Sequence, residues 1–155
     1  MPYALRYRFS QHFAVSAQDA YNWCTDFQPE DHALMGEENA IREVRWLTES
    51  TVILKETFHT NEGDTEKEKL VQLYPYRFMW VSTHLSGVNK YSQFIYEINP
   101  EEGASKLEFT ALHIEHVEHL GKKNLKALED DLLSYDSNVW KRLAKTMEKE
   151  LSGKP

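Results

Sequence analysis

The sequence predicts an α+β fold in which a curved antiparallel sheet of seven strands, with two short helices after the first strand, packs against one long C-terminal helix. Three patterns point there. From Tyr3 to Val15 the odd positions are Tyr3, Leu5, Tyr7, Phe9, Gln11, Phe13 and Val15, and the even ones include Arg6, Arg8, Ser10 and His12, the period of two of a half-buried strand. Between Asn39 and Val117, alternating runs are separated by turn residues at close intervals, as in an antiparallel meander. From about Leu120 to Leu151 no helix breaker intervenes, and Leu125, Leu128, Leu132, Tyr135, Val139, Leu143, Met147 and Leu151 step by three and four.

After the opening strand, Ser16 stands three residues before Asp19, the form of a capping box with Asp in place of Glu, so a helix begins at Ala17. Ala17, Ala20, Tyr21, Cys24 and Phe27 recur at helical spacing until Pro29 ends the run. A short second helix is expected from about Glu30 to Met35, closed by Gly36. The meander strands are expected at Ile41–Thr48, Thr51–Thr60, Thr65–Tyr74, Arg77–Leu85, Lys90–Asn99 and Ser105–Val117. Their connectors carry turn chemistry, as in Asn61-Glu62-Gly63-Asp64 and Ser86-Gly87-Val88-Asn89. A final helix of about 32 residues would extend about 48 Å, longer than any of these strands, so it has to cross the sheet.

Composition narrows the class of function. The 155 residues contain no repeat or linker and fit one domain, 1–155, with enough core to need no disulfide. Acids outnumber bases by 25 to 18, for a net charge of −7, which argues against a nucleic-acid partner. The one cysteine, Cys24, lies on an apolar helix stripe and reads as a packed thiol. Neither a signal peptide nor an apolar run of about 18 residues occurs, so a soluble, cytoplasmic protein without integral membrane association is expected.

The segment Phe13-Ala14-Val15-Ser16-Ala17-Gln18-Asp19-Ala20-Tyr21-Asn22-Trp23-Cys24-Thr25-Asp26-Phe27 resembles the opening strand and first helix of the START-like (SRPBCC) superfamily, and the element order resembles that superfamily along the whole chain. This is the helix-grip group, which includes lipid-transfer domains, pollen-allergen-like proteins and polyketide cyclases. The resemblance implies a cavity between sheet and long helix that holds an apolar small molecule: a lipid, an isoprenoid, a quinone or a polyketide-like compound.

With that cavity as the frame, Phe9, Phe13, Trp80, Phe109, Leu132 and Val139 are the candidate wall, and Gln11, His84 and His113 the candidate polar anchors. Gln11 interrupts an apolar row, and it either reaches the ligand or bonds a backbone group. His84 shares a face with Phe78, Trp80 and Ser82, opposite Met79, Val81, Thr83 and Leu85, and either set can be the inward one. Glu56, in a row with Val52, Leu54 and Phe58, is either a cavity carboxyl of raised pKa suited to proton transfer or the partner of a cross-strand Lys or Arg. His113, His116 and His119 with Glu115 and Glu118 have the residue types of a metal site, but His113 and His116 point to opposite faces of a strand, so no metal is expected. No nucleophile elbow, P-loop, dinucleotide fingerprint or zinc-protease motif is present, and no cofactor is expected.

The leading expectation is therefore a binder or carrier. A cyclase or dehydratase using His84, His113 or Glu56 is the second reading, and a co-chaperone or ribosome-associated interaction module the third. Trp46 and Trp140 either face a partner, as in a homodimer, or are buried by sheet curvature and helix rotation; a monomer and a homodimer are both compatible with the sequence.

Overall fold

A computed structural model of the chain describes residues 2–27, 40–116 and 124–153. In chain order the elements are β1 (Tyr3–Phe13), α1 (Ala17–Cys24), β2 (Ala40–Thr48), β3 (Thr51–Thr60), β4 (Gly63–Tyr74), a 3-10 turn (Pro75–Arg77), β5 (Met79–His84), β6 (Gln93–Glu101), β7 (Ala104–Glu115) and α2 (Leu125–Ser152). The expected short helix at 30–36 falls outside the described residues.

The seven strands form one antiparallel sheet in the order β1-β7-β6-β5-β4-β3-β2. Strands β2 to β7 are consecutive hairpins, and β1 returns to pair with β7, with Tyr3 opposite Glu115 and Phe13 opposite Ser105. Cross-strand partners share a face, so the apolar alternation of each strand aligns with the next. One row runs Phe9, Phe109, Tyr96, Trp80 and Leu73 across five strands, and the row beside it runs Tyr7, Ala111, Phe94, Ser82 and Val71. Phe13, Val52, Leu107 and Met147 are fully enclosed on this inner side, each contributing roughly 1.5–3 kcal/mol relative to an exposed side chain.

Helix α1 starts where the sequence places it: Ser16 Oγ accepts the backbone N–H of Asp19 at 3.1 Å. Helix α2 starts later than expected, at Leu125 rather than near Leu120, because the Asn124 side chain caps it by accepting the N–H of Ala127 at 2.8 Å. Its stripe also differs. Leu125 and Tyr135 are exposed, at 42% and 60%, while Val139, Leu143, Ala144 and Met147 are buried. Asp136, four residues after Leu132 and three before Val139, replaces Tyr135 in the inward row. The helix makes its closest backbone approach to β1 and α1.

Strand β5 is shorter than the expected Arg77–Leu85. Pro75 opens a 3-10 turn that ends at Phe78 in the left-handed region (φ 49°), and only from Met79 does the backbone become extended. Strand β6 likewise begins at Gln93 rather than Lys90, after a turn in which Tyr91 has φ 74°.

Candidate functional site

The inner face of the sheet beneath α2 carries an aromatic wall. The Trp80 and Tyr96 rings are stacked, with centroids 4.7 Å apart and planes 4° from parallel. Phe9 stacks on Phe109 at 4.6 Å, and Phe109 meets Tyr96 edge-on at 5.1 Å. Trp140 on α2 approaches Tyr96 at 5.7 Å and Phe13 at 6.3 Å, while Tyr21 on α1 lies 6.0 Å from Trp80. Trp140 therefore packs inward. Trp46 remains 45% exposed near Phe27.

The residues singled out from sequence distribute unevenly over this face. Phe13, Trp80, Phe109 and Val139 are buried in it, and Phe9 and Leu132 are half-buried. His84, Ser82 and Trp80 face inward, which settles the orientation of β5. His113 also faces inward, opposite Leu5. Gln11 is half-buried, and its amide donates to the His12 carbonyl at 2.9 Å, the backbone bond that was the alternative to ligand contact.

Three polar groups punctuate the wall. At the helix side, the Tyr7 hydroxyl donates a hydrogen bond to Asp136 Oδ2. Burial holds the Asp136 carboxyl above the usual carboxylate range, against the Tyr7 hydrogen bond and the charges of His113 and Lys69. Burial, with the neighbouring Asp136 charge, likewise pushes the Tyr7 hydroxyl well above its ordinary value. Tyr96, also raised by burial and by Asp136, stays protonated.

At the β2–β4 end, Glu56 Oε1 accepts from Arg42 at 3.1 Å and from Lys69 at 3.0 Å. Strand register dictates the cluster, because Arg42 is directly opposite Glu56 and Lys69 is diagonal to it. Burial opposes ionisation of Glu56, but the Lys69 and Arg42 charges and hydrogen bonds together keep its pKa below the ordinary value. The expectation of a raised pKa for proton transfer is thus overturned by the cross-strand pairing that was its alternative.

Between these groups, burial and then the Lys69 charge push the His84 imidazole down to about 4, so it is neutral near pH 7. Its Nδ1 is buried without a hydrogen-bond partner; Asn89 is near enough to favour the protonated form without closing a bond. His113 Nε2 is hydrogen-bonded to Glu115 Oε1 at 2.5 Å, and its Nδ1 is also buried without a partner. His116 turns elsewhere, its Nε2 donating to the Lys90 carbonyl at 2.8 Å, and His119 lies outside the described residues. Among the described residues no group of three or more His, Cys, Asp and Glu side chains has the geometry to hold a metal.

Sequence reasoning missed Asp136, Tyr7 and Tyr96 as functional candidates. Asp136 carried a usable signal, since it interrupts the spacing Leu128, Leu132, Val139 with an acid on the inward row. A separate groove of about 620 Å³, lined by Ala14, Val15, Asp19, Lys145, Glu148 and Leu151 among others, lies at the β1–α1 corner and opens to solvent. None of the sequence-derived candidates lines it.

No family model and no curated protein matches the chain by sequence. Solved structures do match it in three dimensions. The ZhuI aromatase/cyclase from Streptomyces sp. R1128 superposes with a TM-score of 0.70 at 9% identity, covering 96% of this chain and 93% of that one. Norcoclaurine synthase from Thalictrum flavum, in complex with dopamine and hydroxybenzaldehyde, gives a TM-score of 0.71 at 13% identity over 99% and 90%. A Staphylococcus aureus protein of unknown function gives 0.73 at 10% identity over 97% and 98%. The chain shares with these structures the helix-grip α+β fold.

Proposed function

We propose that the chain, acting as one domain, binds an apolar, ring-bearing small molecule between the inner face of the sheet and α2. One observation carries the reading. Tyr96 packs its ring against Trp80, Phe109 and Trp140, and burial suppresses its ionisation, yet the residue is only half-buried. We read that remaining surface as facing open space between the sheet and α2. Two buried imidazole nitrogens without partners, His84 Nδ1 and His113 Nδ1, face the same side of the sheet, and buried polar atoms left unpaired call for a water or a ligand.

The wall favours a flat ring system among the lipid, isoprenoid, quinone and polyketide-like classes. Phe9, Phe13, Trp80, Phe109, Leu132 and Val139 supply contact area, and Tyr96, His84 and His113 supply orienting hydrogen bonds. The small aromatic ligands named for norcoclaurine synthase, and the aromatase/cyclase activity named for ZhuI, agree with that preference. Native mass spectrometry of the protein freshly prepared from its host tests the proposal. It predicts a stoichiometric excess mass released by organic extraction. Bare protein that also takes up no aromatic or lipid compound from a panel contradicts it.

A second reading, acid–base turnover of such a ligand, is favoured by one feature. On the same inner face burial raises the Asp136 carboxyl and lowers the His84 imidazole to about 4, so the two groups move towards each other, which eases proton exchange with a common ligand. Glu56 takes no part, being locked to Arg42 and Lys69. Turnover of a polyketide-like panel that survives both Asp136→Asn and His84→Gln would exclude this reading while leaving binding intact.

A further inference from the structure

We infer that the free edge of β2 pairs with the β2 edge of a second copy of this chain, forming a two-fold dimer with a continuous sheet. Strand β2 is one end of the sheet and bonds only β3, so its outer N–H and C=O groups meet no strand among the described residues. Large apolar side chains are exposed along it: Ile41 at 55%, Leu47 at 50% and Trp46 at 45%. An edge strand that long and that apolar is a template for another strand.

The occupant follows from the order of side chains on the outward face, which reads Ile41, Glu43, Arg45, Leu47. When a second β2 lies antiparallel, related by a two-fold axis through Val44, Glu43 faces Arg45 of the second copy and Arg45 faces its Glu43. Ile41 faces Leu47 of the second copy, and the reverse. Both charge pairs are opposite in sign and both outer pairs are apolar, so the strand is complementary to itself. The side chains are available for this. The Glu43 side chain is 71% exposed and makes one long ion pair, 4.0 Å to Lys55, and Arg45 is exposed with no ion pair among the described residues. The β-bulge between Trp46 and Thr48 falls at Leu47, near the end of the strand, so the regular register carries the two central Glu43–Arg45 pairs and the Ile41–Leu47 contacts are peripheral.

The opposite sheet edge behaves differently. Strand β1 has Arg6 and Arg8 on its outward face and no Asp or Glu anywhere along it, so a second β1 would meet like charge. Self-pairing is thus confined to β2, and a two-fold contact closes at two copies. This inference is independent of what the interior binds.

Sedimentation velocity on the full chain, over concentrations up to about 1 mM, the affinity of a weak complex, tests it with three variants. The wild type is expected to shift from monomer to dimer mass, Glu43→Arg and Arg45→Glu each to stay monomeric, and the combined Glu43→Arg/Arg45→Glu swap to recover the dimer. Circular dichroism checks that each variant is folded, and the recovery in the double variant separates charge pairing from misfolding. A wild type that stays monomeric throughout, single variants that dimerise as it does, a swap that fails to recover, or growth beyond two copies would each overturn the inference.

Discussion

Asp136 on α2 and Tyr7 on β1 share a hydrogen bond between the long helix and the strand it approaches most closely. The bond places a carboxyl group inside an aromatic wall, which costs free energy unless the acid is neutral or paired. Burial raises the acid and the hydroxyl keeps its proton, so the two groups meet that condition together.

Tyr7→Phe removes the donor and leaves Asp136 without its hydrogen bond. Stability is expected to fall by about 1–3 kcal/mol, the desolvation penalty of an unpaired polar group. Because that hydrogen bond is what lowers Asp136 against burial, its pKa rises further in the variant. Urea denaturation gives the first quantity and carbon-detected NMR titration of the carboxyl the second. In Tyr7→Phe/Asp136→Asn the losses should be less than additive, because both changes remove one interaction.

Glu56→Gln is expected to be the most damaging polar substitution in the sheet. It leaves Arg42 and Lys69 beside each other in a site where Glu56 is 1% exposed, and breaking a buried ion pair costs about 3–5 kcal/mol. The folded pKa of Glu56 lies below its ordinary value, so its contribution is complete above the ordinary carboxylate range and is lost as pH falls through the folded value. Denaturation midpoints of wild type and Glu56→Gln should therefore converge as the solution is acidified and stay apart at neutral pH.

His84 titrates in a different window. The unfolded chain takes a proton near pH 6.5 that the folded chain refuses until about 4, so stability falls as pH drops between those values, by about 3 kcal/mol in all. His84→Gln should flatten the dependence in that interval while leaving the steeper loss below it. Equilibrium unfolding at half-unit pH steps measures both slopes, and identical slopes in the two proteins would mean that His84 is not held neutral.

Tyr96→Phe keeps the ring on Trp80 and deletes only the hydroxyl. If that hydroxyl borders open space, the folded protein should lose less than about 1 kcal/mol, since no protein partner is stranded. Trp80→Ala removes the wall itself and should cost about 3–5 kcal/mol as a core cavity. Thermal melts distinguish the two outcomes.

Much of the fold could be read from periodicity, because strands buried on one face alternate and a helix on a sheet shows its stripe. Ser16 and Asp19 marked the start of α1 correctly for the same local reason. The start of α2 was misplaced because Gly121 was passed over as a boundary signal, whereas the helix begins where the Asn124 side chain accepts the N–H of Ala127. Phe78 misled differently, since its left-handed backbone follows from Pro75 and carries no signature of its own.

The interior was legible in outline and obscure in its polar detail. Alternation alone could not choose the inward face of β5, which became fixed once Trp80 was paired with Tyr96 and Leu73. The state of Glu56 depended on Arg42 and Lys69, 14 and 13 residues away in sequence and adjacent only through register. Asp136 was passed over because an apolar stripe was sought and the acid was its interruption.

The central claim is open space beside Tyr96 that takes up a ring. Titrating delipidated protein at neutral pH with 1-anilinonaphthalene-8-sulfonate, while following dye emission and tryptophan quenching, tests it most directly. Saturation at one dye per chain, with the native circular dichroism spectrum unchanged and with displacement by a long-chain fatty acid, is the result expected. Dye emission that never saturates, or that appears only when the spectrum shows unfolding, would contradict it.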